Sequence, residues 1–418
     1  MQKKRVFHDP IHKEIVIDCS KDEEAMIMEL IETDAFQRLR RIKQLGTASL
    51  VFHGAESSRF THSIGVFSVA RKIYRRLVEI DPKFETNKFT LYGAALLHDI
   101  GHGPLSHTSE EVFTHNHESW SKKLISSYHP INSILKSYGV EVPKKIGELF
   151  SSRNLISNPL KTLISSEIDC DRLDYLLRDS YNTGTKYGLV DLERIISALT
   201  FSPDGGIAIK PKGIIAIEHF LVLRNIMYRT IYNHRINEVC TWILENIFKT
   251  IRTEFRSKVW IDNYLSDWIF SPKTLNFKSF LSNDDIRLFY HIERWKDEAP
   301  EPLSTLCKMF INRNLLKASN INFLSNIDKL ELLAYTRKKS AENNYDPILF
   351  CGIKEKKFNG FESNNSLKVW DGNCLKELDK ESALINILIQ NQKISLLFYP
   401  ECIREEVSNK IHYLSNKK

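Results

Sequence analysis

No two of the seven cysteines, at positions 19, 170, 240, 307, 351, 374 and 402, form a CxxC pair. That excludes a zinc knuckle and gives no sign of a disulfide framework. No apolar run is long enough to cross a bilayer. The basic start Lys3-Lys4-Arg5 lacks the apolar stretch of a secretory signal behind it. Internal repeats and low-complexity tracts are also missing. These absences predict a reduced, cytoplasmic protein without membrane attachment. Charge of neither sign is scarce: 59 Lys+Arg against 52 Asp+Glu leave a net +7. The excess suits an anionic partner, nucleotide or nucleic acid, although a lysine-rich surface is the simpler reading of the total. At 418 residues, 42% hydrophobic, the chain can hold one large domain and a smaller one.

The pattern is mainly helical. Glu14-Ile15-Val16-Ile17-Asp18 alternates as in a small hairpin. Apolar stripes predict helices over Asp22–Leu45, from His62 through Leu77, over Leu91–Asp99, and through most of 109–157 and 160–180. Ser202-Pro203-Asp204-Gly205-Gly206 reads as a turn before a strand at Ile207–Ile209. A long helix is expected from Ile214 to Phe255, and more helix over 258–317. Beyond about Ala318 the texture changes. Strands at 347–353 and 394–399 beside helices at 381–391 and 403–414 predict a small α+β lobe.

One stretch concentrates chemistry: Leu96-Leu97-His98-Asp99-Ile100-Gly101-His102-Gly103-Pro104-Leu105-Ser106-His107. An apolar helix delivers three histidines and an aspartate, and Gly101, Gly103 and Pro104 break it just afterwards. Imidazole and carboxylate both suit a divalent metal. His62 upstream and Asp171 downstream complete the order His…His-Asp…Asp. Such a set leaves positions open on an octahedral ion for water and a phosphate oxygen. The donors fit manganese, iron, nickel, cobalt or zinc, with magnesium a candidate alongside substrate phosphates.

With Phe7-His8-Asp9-Pro10-Ile11-His12, Phe36 to Gly46 and Arg313-Asn314-Leu315-Leu316-Lys317, these motifs resemble the HD-superfamily metal phosphohydrolases. The nearest likeness is to the deoxynucleoside triphosphate triphosphohydrolases that join a SAM domain to an HD domain; no SAM domain is seen here. The resemblance implies an HD-domain helical core with small β-hairpins over 1–318, and the strand and helix pattern beyond it gives the α+β lobe over 319–418. It implies that His62, His98, Asp99 and Asp171 hold the metal, and that His102 and His117, with Glu118 beside the latter, do acid and base work. His115, two residues away, is easily confused with His117. His107 is expected at the α-phosphate. Arg59, Arg172 and Arg224 match substrate-contacting cations, although Arg172 stands where the family has lysine. Gln44, Tyr175 and Asp179 match groups holding the sugar 3′-hydroxyl, and Leu45 and Tyr232 those crowding its 2′ position.

A second, activating nucleotide site between subunits is implied by Arg5, Glu32, Gln37, Arg40, Arg194, Lys210, Lys212, Arg235 and Arg313. Glu32 replaces an aspartate there, and His8 stands where the family has asparagine. The expected partners are therefore a dNTP substrate, an activating nucleotide and further copies of the chain as a dimer or tetramer. The competing reading is a metal-dependent nuclease acting on single-stranded DNA or RNA with the same residues.

Overall fold

The Ser58 hydroxyl accepts the Thr61 N–H and starts a 22-residue helix, Arg59–Ile80, against which the N-terminal half is assembled. The computed structural model describes residues 3–150, 158–359, 367–388 and 391–417. Val66, Val69, Ala70, Ile73 and Leu77 line the buried stripe of that helix. Each of the valine, isoleucine and leucine side chains among them contributes roughly 1.5–3 kcal/mol on leaving water. Two helices pack on it, Lys88–Leu97 and Cys170–Thr183. The second fits closely because of Gly65, where a Cβ would meet the Asp174 carboxylate at 2.0 Å.

Lys88–Leu97 is buried throughout Ala94-Ala95-Leu96-Leu97 and stops there, handing His98 and Asp99 to the following turn. That turn tucks under the helix His117–Ser127. A Cβ on Gly101 would lie 2.1 Å from the His117 carbonyl oxygen, so only glycine fits. The helices His107–Phe113, His129–Ser137, Val142–Leu149 and Pro159–Ile164 complete this half. The expected helical span 109–157 ends in residues 151–157, outside the described residues.

The first two strands, Lys4–Asp9 and Lys13–Asp18, form the expected antiparallel hairpin. The helix expected over Asp22–Leu45 is divided. Asp22–Ile31 ends where the Thr33 hydroxyl donates to Leu30 O and accepts the Phe36 N–H, opening the short helix Asp34–Gln37 and a tight turn, Arg38–Arg41. The long helix from Ile214 is divided too. It runs to Met227, widens into a π-turn over Tyr228–Tyr232, and restarts as Arg235–Thr250 under a cap from His234. Such π-turns reorient side chains, and here Tyr228 and Tyr232 face the cavity described below.

The strands Lys317–Asn320 and Gly352–Asn359 flank Asn391–Tyr399 in an antiparallel sheet. The strand expected from Pro347 begins only at Gly352, because Asp346 ties the Ile348 and Leu349 N–H groups into a turn. A helix absent from the sequence expectation, Asn326–Glu342, packs with Arg404–Asn416 around Leu332, Ile403, Val407 and Leu414. The C-terminal segment also joins the helical part. Lys368–Trp370 adds in parallel to the hairpin Leu199–Phe201/Ile207–Ile209, with Val369 opposite Ile209. The molecule is mainly α, with three small sheets among the described residues. No helix is long and apolar enough to cross a membrane among them.

Candidate metal centre and its cavity

His62 and His98 point their Nε2 atoms at each other across 3.2 Å. Each ring is locked by its other nitrogen. His62 Nδ1–H donates to Asp174 Oδ2 at 2.7 Å, and His98 Nδ1–H donates to the Ala95 carbonyl at 2.9 Å. Both Nε2 atoms therefore present lone pairs. Asp171 Oδ1 lies 2.9 Å from His62 Nε2 and 3.6 Å from His98 Nε2. Asp99 reaches within 3.3 Å of His98 and 3.5 Å of His62. Converging lone pairs and carboxylates repel unless a cation or proton sits among them, so this donor set fits a divalent metal. Burial opposes protonation of His62, but hydrogen bonds to Asp171 and Asp174 raise its pKa to about 9. A metal would take that proton's place.

Asp174 is the hub behind the centre. It receives His12 Nε2 at 2.6 Å and the Arg178 guanidinium at 2.7 and 2.9 Å, while Arg178 also donates to Asp9 at 2.8 Å. The Asp9-Pro10-Ile11-His12 motif of the N-terminal hairpin thus braces a residue that aims His62. Arg178 was not among the expected site residues. Its i,i+4 spacing from Asp174 was the available signal.

Asp99 is paired with Arg59, which also donates to Ser106 Oγ at 2.7 Å. Burial would raise the Asp99 pKa, but Arg59, His98 and His102 hold it well below the usual carboxylate range. His102 is buried, 3.2 Å from Asp99 and stacked on His117 with ring centroids 4.0 Å apart. Burial, Arg59 and His117 push its pKa well below that of free imidazole. His117 donates through Nδ1 to Glu110 Oε1 at 2.8 Å, and His107 shares that oxygen at 2.9 Å. The carboxylate touching these imidazoles is Glu110, which sequence reasoning missed although His107 and Glu110 are one turn apart. Glu118 is exposed at the cavity mouth. His115 packs instead on Trp268, and burial lowers its pKa to about 4.

A cavity of about 530 Å³ opens over the centre. Its lining unites His98, Asp99, Asp171, Arg59, His102, His107, His117 and Glu118 with Gln44, Leu45, Tyr175, Asp179 and Tyr232. His62 lies beneath this floor, fully buried. Tyr232 donates to Asp179 Oδ2 at 2.8 Å, while Asp179 Oδ1 and Gln44 Oε1 are buried without hydrogen-bond partners among the described residues. Burial raises the Asp179 pKa to about 7.

Two expected substrate cations are turned elsewhere. Arg172 is ion-paired with Asp169, and Arg224 with Glu167; neither lines the cavity. Lys161 and Lys356, which sequence reasoning did not single out, do line it.

The residues expected at a second nucleotide site fall into separate surface groups. Arg5 reaches Glu32 at 3.5 Å, and Arg40 donates to Gln37 at 2.8 Å while covering the Phe60 ring. Arg194 donates to the Lys212 carbonyl, with Lys210 just after the strand Ile207–Ile209, and Arg313 donates to the Leu50 carbonyl. Arg235 is exposed at the start of its helix. No hydrogen bond or ion pair joins these groups among the described residues.

The HD domain family matches residues 59–178, and the HD associated region matches 190–259. An uncharacterized protein of Bacillus subtilis, YwfO, is 32% identical over 98% of this chain and 90% of its own length. The Dictyostelium discoideum homolog of the deoxynucleoside triphosphate triphosphohydrolase SAMHD1 is 29% identical over 75% of this chain, which spans 59% of that relative. A crystal structure of a phosphohydrolase from Bacteroides thetaiotaomicron superposes with a TM-score of 0.80 at 25% identity, covering 95% of this chain and all of the other.

Proposed function

The chain belongs to the HD-domain phosphohydrolase family, related to the SAMHD1 proteins, and on that premise we propose that it is a deoxynucleoside triphosphate triphosphohydrolase. Its reaction is dNTP plus water giving deoxynucleoside and inorganic triphosphate, by attack at the α-phosphorus. The observation that carries this reading is one cavity holding both a His/Asp donor cluster and two unpartnered acceptors, Asp179 Oδ1 and Gln44 Oε1, suited to a sugar hydroxyl.

His62, His98, Asp99 and Asp171 would hold the divalent metal, which lowers the pKa of water and polarises a phosphoryl oxygen when bound. Arg59 keeps Asp99 ionised and fixed in direction. His102, held neutral, accepts a hydrogen bond from the attacking water. His117, oriented by Glu110 through Nδ1, carries the proton at Nε2 that the departing 5′-oxygen needs. His107 stands at the rim, placed for an α-phosphate oxygen. Tyr175, Gln44 and Asp179 hold the 3′-hydroxyl, and Leu45 and Tyr232 leave no room for a 2′-hydroxyl. Arg172 and Arg224 would have to exchange Asp169 and Glu167 for phosphate.

The test is product analysis. Each dNTP, alone and in mixtures, is incubated with manganese or magnesium and assayed for deoxynucleoside and triphosphate. His102→Ala and His117→Ala should lose turnover while retaining metal. Mononucleotide release from a labelled oligonucleotide, with free dNTPs untouched, would instead establish the nuclease.

A further inference from the structure

Beside the metal centre, in the wall of the same cavity, lies a second convergence of donors. His102, His107, Glu110 and His117 each bring one ligand atom to a common point, all within 4.8 Å of one another. Around Glu110 Oε1 stand the Nδ1 atoms of His117 at 2.8 Å, His107 at 2.9 Å and His102 at 3.9 Å. In a tetrahedral zinc site with bonds of about 2.0–2.2 Å, neighbouring donors lie roughly 3.3–3.5 Å apart. The observed separations straddle that value, so small side-chain rotations would close the site.

The local sequence makes this convergence. His107 and Glu110 share one face of the helix His107–Phe113, His117 opens the next helix under an Asn116 cap, and His102 comes from the turn after Asp99. His102 is fully buried, yet neither ring nitrogen has a hydrogen-bond partner among the described residues. Its Nε2 faces Asp99 at 3.2 Å and its Nδ1 faces Glu110. One imidazole therefore stands between two donor clusters. His107, with 71% of its side chain exposed, leaves the second cluster open to solvent ions.

We propose that His102, His107, Glu110 and His117 form a second, zinc-selective site whose occupation inhibits the enzyme. Three imidazoles and one carboxylate favour zinc, whereas manganese and magnesium favour oxygen-rich sites. Zinc there takes the Nδ1 atoms of all three histidines, displaces the protons two of them share with Glu110, and removes His102 and His117 from water and leaving-group contact. The site itself rests on donor geometry alone; the inhibition rests on the roles given to His102 and His117 above.

The experiment uses the full chain stripped of metal, titrated with zinc and, for spectroscopy, with cobalt. Wild type should bind about two ions per chain, falling to about one in His107→Ala and in Glu110→Gln. Because the His107 side chain is largely exposed, its removal opens no cavity in the core. Asp171→Ala should keep the visible absorption of tetrahedral cobalt, and His107→Ala should lose it. A single equivalent in wild type, or unchanged stoichiometry in both variants, overturns the site. In manganese-loaded enzyme, stoichiometric zinc should cut phosphohydrolase turnover by about tenfold or more. Zinc that fills the second site without slowing turnover overturns the inhibition, whichever nucleotide proves to be the substrate.

Discussion

Asp174 accepts the Nδ1–H of His62 at 2.7 Å and is itself gripped by Arg178 and His12. A residue outside the donor cluster thus sets the tautomer and aim of one inside it. Partners of this kind typically govern metal affinity by 10–100-fold. Asp174→Asn is expected to weaken metal binding by about that factor. It also leaves buried Arg178 with Asp9 as its one carboxylate among the described residues, so stability should fall by at most about 3–5 kcal/mol, the cost of a fully broken buried pair. Metal competition and urea unfolding measure the two effects. Unchanged affinity would mean that packing alone holds His62.

Asp171→Ala removes a donor without disturbing its helix. The start of Cys170–Thr183 is capped by Asp169, which accepts the Arg172 N–H at 2.8 Å, and alanine favours helix. Bound metal and turnover should fall together while helical circular dichroism persists. Full occupancy with normal turnover would remove Asp171 from the ligand set.

Burial raises the Asp179 pKa to about 7. The folded protein therefore binds this proton more tightly than the unfolded chain, whose aspartate titrates near 4. The stability that proton supplies is complete below about pH 4 and declines as pH rises to about 7. Subtracting the pH–stability curve of Asp179→Asn from that of wild type should reveal the decline. Identical curves would show that Asp179 is not protonated on folding.

Tyr232 packs edge-on against Tyr175 with centroids 5.8 Å apart, and against Tyr228 at 5.1 Å, so its position is firm. If Tyr232 and Leu45 crowd the 2′ carbon, dNTPs should exceed NTPs in kcat/KM by on the order of 10², the usual limit for excluding an added hydroxyl by shape. Tyr232→Ala should narrow that ratio. Wild type cleaving GTP as fast as dGTP would contradict the assignment.

The cations expected at a second nucleotide site lie in surface groups with no hydrogen bond or ion pair between them among the described residues. If neighbouring copies gather them on one polyphosphate, that nucleotide favours assembly by mass action. Light scattering should show a dimer or tetramer whose population rises with dGTP or GTP. Arg313→Ala should blunt the response. A monomer at every nucleotide concentration with full turnover would separate catalysis from assembly.

The order His62, His98-Asp99, Asp171 was legible because each residue sits in a short motif whose local structure the nearby residues dictate. Alanines and leucines make the helix ending at Leu97, and glycines stop it. Apolar stripes likewise announced most helices, since burial follows a 3.6-residue period. Partner choice was not legible, because it depends on segments far apart in the chain. Glu110 rather than Glu118 meets His117 because the turn after Phe113 folds one helix start onto another. Half-buried Arg172 and buried Arg224 point to Asp169 and Glu167 because a guanidinium drawn out of water takes whichever carboxylate the packing places beside it. Asp9 and His12 reach Arg178 and Asp174 across more than 160 residues of sequence. Lys356 enters the cavity from a C-terminal strand whose alternating pattern says only which side is buried. Local periodicity thus determined the elements and the order of donors, and long-range packing decided which charges face one another across the cavity.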